Sequence, residues 1–189
     1  MIREFDTERL RLRQWRSSDF EPFARLNADE RVMEFYPAAL ERAASDAMAE
    51  RIRSRIAGQG WGLWAAELRA TGEFIGYIGL QVPPATLPFS PCVEIGWRLA
   101  HAFWGRGLAT EGAKGALRVG FGHLGLDEIV SFTALINRRS RAVMERLGMR
   151  EDKAAAFEHP SVPEGSPLRE HCLYRLSRER WAELRAKLL

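Results

Sequence analysis

The sequence predicts a mixed α/β or α+β domain, and three observations carry that reading. In Arg9-Leu10-Arg11-Leu12-Arg13 leucines alternate with arginines, the period of two that a half-buried strand requires. Glu41 to Ile56 is rich in Ala, Glu, Arg and Met, with Ala44, Met48, Ile52 and Ile56 spaced four apart, which marks an amphipathic helix. Strand and helix patterns then alternate to the end of the chain without repeat or low-complexity segment. A length of 189 residues fits one hydrophobic core, so residues 1–189 are expected to form a single domain.

The remaining elements follow in order. Ser17-Ser18-Asp19 offers capping oxygens for a helix through Phe20, Phe23, Ala24 and Leu26. Asp29 to Phe35 reads as a second short helix stopped by Pro37, and Gly58 as the stop of the long helix. Trp61 to Leu68 and Glu73 to Leu80, joined by a turn at Ala70-Thr71-Gly72, form a hairpin. Pro83, Pro84, Pro88 and Pro91 exclude a central strand and predict an irregular surface loop. Strands are then expected at Cys92 to Leu99, Ile129 to Ile136 and about Glu170 to Leu176, and helices at Ala109 to Phe121, Arg138 to Leu147 and Arg178 to Lys187.

Composition excludes several classes. The chain is 46% hydrophobic and 28% charged, as soluble globular proteins are. No window approaches the roughly 20 apolar residues of a membrane span, and the start lacks a signal-peptide core, so a cytoplasmic location is expected. Lys and Arg number 28 against 25 Asp and Glu, a net charge of +3, which supplies no basic stripe for nucleic acid. Cys92 and Cys172 are expected as free thiols, and His101, His123, His159 and His171 make no metal-ligand spacing, so no metal is expected.

The informative stretch is Phe103-Trp104-Gly105-Arg106-Gly107-Leu108-Ala109-Thr110-Glu111, which joins a strand to a helix through two close glycines. The first turn of a helix has N–H groups without intrahelical partners, and its dipole adds partial positive charge. Glycine lets an anion approach the backbone, and Arg106 adds a formal charge, so the segment suits a pyrophosphate. The plain alternative is an ordinary strand-to-helix loop. Neither the Walker pattern nor a full dinucleotide fingerprint is present, which disfavours a nucleoside triphosphate or NAD.

Glu94-Ile95-Gly96-Trp97-Arg98-Leu99 followed by Phe103 to Gly112 resembles the acetyl-CoA motif of the GNAT acetyltransferase superfamily. The resemblance extends from Thr7-Glu8-Arg9-Leu10 to Asn137-Arg138-Arg139-Ser140 and Leu147-Gly148-Met149. Gly107 and Ala109 match the last two places of the superfamily signature, while Trp104 stands where Gln or Arg is usual. Tryptophan there is similar to the RimJ/RimL-like branch, the ribosomal-protein alanine N-acetyltransferases and their relatives.

The resemblance implies a GNAT fold: a mixed, mostly antiparallel sheet of about 6–7 strands with splayed middle strands, flanked by helices. It implies acetyl-CoA as co-substrate, coenzyme A as product and an amine as acceptor, by direct attack in a ternary complex. Backbone N–H groups of Gly105, Arg106, Gly107 and Ala109 would hold the cofactor's pyrophosphate, with Trp104, Leu108 and Thr110 also among the cofactor-binding residues, and the strand around Trp97 and Leu99 would pair with the pantetheine arm, a main-chain N–H near Leu99 meeting the oxyanion. Asn137 would bond pantetheine or nearby backbone, and Ser140 would bind there and protonate the departing thiolate; both also suit helix capping. Phe35 and Tyr36 lie where relatives place acceptor residues, and Trp64 on the hairpin is a further acceptor-site candidate, with core packing as the alternative for all three.

Glu94 is the candidate base. Strand alternation puts it on one face with Gly96 and Arg98, with a salt bridge to Arg98 or another arginine as the structural alternative. A catalytically silent acyl-CoA-binding or protein-interaction module would keep the glycine loop but lose acid and base, whereas Glu94, Asn137 and Ser140 are retained. No membrane or nucleic-acid partner is expected, and the resemblance is compatible with a monomer or a homodimer.

Overall fold

The computed structural model describes residues 3–186. Among them are β1 (Phe5–Asp6), β2 (Leu10–Arg13), α1 (Phe20–Ala28), α2 (Glu30–Met33), α3 (Arg42–Gln59), β3 (Leu63–Leu68), β4 (Phe74–Gln81) and β5 (Glu94–Leu99). These are followed by α4 (Leu108–Arg118), β6 (Glu128–Ala134), α5 (Arg138–Arg146), β7 (Arg150–Glu151), β8 (Phe157–Glu158), β9 (Glu170–Ser177) and α6 (Arg178–Ala186). The strands follow the order β1-β2-β3-β4-β5-β6-β9-β7, with β8 also on β9. β5 and β6 run parallel, whereas β1–β2, β2–β3, β3–β4, β6–β9, β7–β9 and β8–β9 are antiparallel. This is the expected mixed, mostly antiparallel sheet flanked by helices. It has nine strands rather than six or seven because β1, β7 and β8, two residues each, leave no periodic signal.

Packing divides the chain into two compact units, Met1–Leu80 with Gly96–Ala116, and Gln81–Ile95 with Leu117–Leu189. In the first, Leu10 and Leu12 are fully buried while Arg9 and Arg11 face solvent, as the alternation predicts. Arg13 breaks the pattern. It is buried and paired with Asp19 at 2.7 Å and Glu67 at 2.6 Å. Helix α3 passes through Gly58 and ends at Gly60, whose φ of 86° makes the left-handed C-cap. Its buried positions are Ser45, Ala49, Ile52 and Ile56, not the expected stripe of Ala44, Met48, Ile52 and Ile56. A strict spacing of four drifts around a helix of 3.6 residues per turn, so Ala44 and Met48 turn away from that face.

At β4, Gly76 has φ 134°, and a Cβ there would lie 2.1 Å from the Arg98 carbonyl oxygen. Only glycine lets β4 and β5 approach this closely. In the second unit β6 and β9 pair over seven positions, from Glu128↔Ser177 to Ala134↔His171. Helix α6 packs Trp181 on Phe121 at 5.7 Å between ring centroids. Lys187, the expected end of that helix, lies outside the described residues.

Candidate active site

The cofactor loop belongs to the first unit. Gly105 and Gly107 have φ of 71° and 76°, a conformation that disfavours side chains, and both are exposed. The hydrogen-bond ladder of α4 begins with Glu111 N–H donating to the Gly107 carbonyl at 3.0 Å. The N–H groups of Leu108, Ala109 and Thr110 therefore have no intrahelical acceptor. A Cβ on Gly105 would meet nothing within 4 Å, so the open face of the turn has room for an anionic group. Open backbone donors, the helix dipole and Arg106 together fit a pyrophosphate.

The loop is anchored from below. Glu111 accepts from the Thr7 hydroxyl at 2.6 Å, the Arg9 main-chain N–H at 2.7 Å and Arg9 Nε at 2.6 Å. Partial burial raises the Glu111 carboxyl, but those three donors outweigh it and hold it below the ordinary carboxylate range. Arg9 Nη1 also donates to the Arg106 carbonyl at 3.0 Å, clasping the turn. Trp104 Nε1 donates to the Leu99 carbonyl at 2.8 Å, so the residue that departs from the superfamily signature ties the loop to the end of β5. Leu99 is buried and Trp97 half-buried on that strand.

Of the expected acceptor residues, Phe35 and Tyr36 lie half-buried just after α2, and Tyr36 lines a cavity with Arg98. Trp64 does not. It is fully buried, its Nε1 donates to the Arg3 carbonyl at 2.7 Å and its ring meets Phe5 edge-on. Period-two alternation within a strand covered on both faces sends it into the core.

The second unit holds Glu94, Asn137 and Ser140. Glu94 is buried and accepts from Gln81 Nε2 at 2.8 Å. Burial pushes its carboxyl up to about 7, with the Gln81 bond pulling it back. No ion pair reaches Glu94 among the described residues, which removes the salt-bridge alternative. β5 and β6 share one Cα pair, Glu94↔Val130, supported by Val130 N–H to the Val93 carbonyl at 2.9 Å. The next carbonyl, that of Ile95, takes the Ser131 hydroxyl at 2.9 Å instead of a main-chain N–H. The parallel ladder thus gives way one residue past Glu94.

Asn137 caps α5: its Oδ1 accepts from Ser140 N–H at 3.1 Å, and its Nδ2 donates to Thr133 Oγ1 at 2.9 Å. Both ends of its amide are engaged, and Ser140 is half-exposed at the start of the helix. Of the nearby arginines, Arg138 and Arg139 are exposed, while Arg141 turns inward to the Leu135 carbonyl and the Tyr174 hydroxyl. Among the described residues no cluster of His, Cys, Asp and Glu is suited to a metal, and no helix is long and apolar enough to cross a membrane.

A family model for the acetyltransferase (GNAT) domain matches residues 9–150. The chain belongs to the GNAT acetyltransferase family. Its family chemistry is acetyl-CoA-dependent N-acetylation. Over 129 residues this GNAT chain is 36% identical to an Aspergillus fumigatus protein named FsC-acetyl coenzyme A-N(2)-transacetylase, a match covering 66% of this chain and 54% of that relative, so it spans about half the relative's length. It is 30% identical to YkkB, an uncharacterized Bacillus subtilis protein, over 78% of this chain and 85% of that one. Among solved structures, an acetyltransferase from Agrobacterium tumefaciens superposes with a TM-score of 0.75 at 30% identity, covering 93% of this chain and 95% of that one.

Three features of the GNAT chain were not legible in its sequence. The Arg9–Glu111 clasp joins residues 102 apart, and nothing local marks the pair. Gln81, the partner of Glu94, sits at the end of β4, where side-chain direction depends on the loop that follows. Finally, Phe89 from the proline loop, Phe132 of β6, Phe157 of β8 and the rings of His159 and His171 form one aromatic cluster, with Phe89 5.0 Å from Phe157 and 5.5 Å from Phe132. Scattered aromatics flanked by prolines were the available signal.

Proposed function

We propose that this chain is an N-acetyltransferase of the RimJ/RimL-like branch, moving an acetyl group from acetyl-CoA to a primary amine by direct attack in a ternary complex. The observation that carries the reading is the exposed turn at Gly105 and Gly107, which opens onto the unpaired N–H groups starting α4. Residues Trp104 to Thr110 hold the pyrophosphate, and Trp97 and Leu99 carry the pantetheine arm, with Asn137 and Ser140 contributing from the start of α5. The thioester supplies the acetyl group when bound.

Glu94 accepts the proton that the acceptor amine loses, directly or through a water. A carboxyl held near 7 is half ionised at neutral pH and matched to that task. Ser140 Oγ delivers a proton to the sulfur as the carbon–sulfur bond breaks and the amide bond forms. Phe35 and Tyr36 border the acceptor. Support for a nitrogen acceptor comes from the relative named as an acetyl coenzyme A N-transacetylase, and support for the branch from Trp104 and its bond to Leu99. Residues 1–189 serve as a single domain in the cytoplasm, as a monomer or homodimer.

Calorimetric titration of acetyl-CoA and free coenzyme A into the wild type and Gly107→Trp tests this. Micromolar binding by the wild type and its loss in the variant are expected; absence of binding by the wild type sinks the proposal.

A further inference from the structure

Arg98 is 7% exposed on β5, yet no carboxylate pairs with it among the described residues. Its Nη1 donates to Asn27 Oδ1 at 2.7 Å, and its guanidinium carbon lies 4.0 Å from the centroid of Tyr36 and 5.6 Å from that of Tyr77. Its Nε is buried without any hydrogen-bond partner. Asn27 is itself fixed, its Nδ2 donating to Ser45 Oγ at 2.9 Å, so the amide presents its oxygen to the guanidinium.

The chain's other buried arginine shows what a purely structural solution looks like here. Arg13, 2% exposed, is met by the two carboxylates Asp19 and Glu67. Burying a guanidinium without a countercharge is costly, and leaving one of its donors unbonded adds to the cost. Aromatic faces offset a small part of that cost. Such an arrangement persists where a ligand supplies the missing charge.

Space for one is present. Arg98 lines a cavity of about 460 Å³ together with Met33, Tyr36, Met48 and Arg51, within the range of small-molecule sites. Ala44 and Met48, which lie off the buried stripe of α3, are among the residues that line it. Arg51, exposed on α3, adds a second positive charge.

We propose that this cavity binds the acceptor and that Arg98 grips a carboxylate on it, so that the substrate is a small amine bearing a carboxylate, of the amino-acid class. The guanidinium takes the carboxylate through its planar fork, and the apolar wall of Met33, Tyr36 and Met48 takes the rest. This deepens the acetyltransferase reading and rests on it.

The test screens the L-amino acids against their C-terminal amides, following coenzyme A release from acetyl-CoA by a thiol reagent, with calorimetric acetyl-CoA binding measured alongside. The wild type should prefer at least one free acid over its amide by tenfold or more in kcat/KM. In Arg98→Gln that ratio should fall towards one through a rise in the KM of the acid, with acetyl-CoA affinity within twofold of the wild type. Arg98→Lys should fall between the two. A variant that merely unfolds betrays itself by losing acetyl-CoA binding, and Arg98→Lys then decides. Equal use of acids and amides by the wild type, a preference that survives in Arg98→Gln, or no turnover of any acid despite tight acetyl-CoA binding would overturn the carboxylate proposal alone. A wild type that fails to bind acetyl-CoA removes the acetyltransferase reading and this proposal with it.

Discussion

Replacing Glu94 with Gln removes the titrating group and keeps the hydrogen bond to Gln81 in reach, so its effect isolates the charge. Burial raises the carboxyl from its ordinary 4.5 to about 7. Each pH unit of displacement corresponds to ~1.4 kcal/mol, giving about 3 kcal/mol for the group. The sign is fixed by which state holds the proton. Below pH 4.5 folded and unfolded chains both hold it, and the associated stability is fully present. Between 4.5 and about 7 the unfolded chain releases it while the folded one keeps it, so stability declines, and above about 7 the loss is complete. Glu94→Gln has no such decline. Urea unfolding of both proteins at half-unit steps from pH 4.5 to 8 should show the variant gaining about 3 kcal/mol on the wild type across that window. If Glu94 is the base, kcat/KM of the wild type also climbs through about pH 7, and the variant loses that limb together with roughly 10²-fold or more of the rate. A stability difference that stays flat with pH would mean an ordinary carboxyl, and the assignment of Glu94 as a base poised at neutrality would fail.

Other perturbations probe the framework. Glu111→Ala strips acceptors from Thr7 and from two Arg9 donors; a loss of ~1–3 kcal/mol in urea unfolding is expected, with acetyl-CoA binding weakened about tenfold in calorimetry, and unchanged binding would show that the clasp does not shape the loop. Asp19→Ala leaves buried Arg13 with Glu67 as its remaining carboxylate, so unfolding should become easier by ~3–5 kcal/mol; a change below ~1 kcal/mol would contradict the burial. His171, pushed down to about 4 by burial, is neutral in the fold, so its own contribution to stability should be full above pH 6.5 and decline as pH falls towards 4, where the unfolded chain is protonated and the folded one is not, a trend opposite in sign to that of Glu94. Melting temperatures taken from pH 7 to 4 should therefore fall further, or rise less, in the wild type than in His171→Leu, and parallel curves for the two proteins would refute it.

What the sequence made legible and what it hid divide on physical lines. Long periodic segments such as α3 and β9, and the glycine pair before α4, were readable because burial and backbone conformation impose local residue patterns. The end of α3 was misplaced from Gly60 to Gly58 because either glycine satisfies a C-cap, and the left-handed conformation belongs to the second. β7 and β8 exist because β9 offers them an edge, a property of the partner strand and not of their own residues. Trp64 sat on an expected strand in the expected hairpin, yet its own residues do not show that both faces of β3 are covered. Glu94 was readable as a candidate, but its environment depends on Gln81 and on burial, both matters of packing.

The buried charges of this chain therefore separate into two kinds. Arg13, Asp19 and Glu67 neutralise one another, and such a set locks β2 and β3 to the start of α1 without asking anything of solvent or ligand. Glu94 and Arg98 are buried to the same degree, at 8% and 7% exposure, and lack ion-pair partners among the described residues. Replacing either with an apolar residue of similar volume would relieve a desolvation cost that the Gln81 bond at Glu94 and the Asn27 bond and aromatic faces at Arg98 offset only in part. A chain that solves the problem at Arg13 with two carboxylates has the means to solve it at Arg98 also. That it does not, and that both uncompensated groups sit on the strand leading into the glycine loop, is what supports the roles proposed for these two residues in handling substrate.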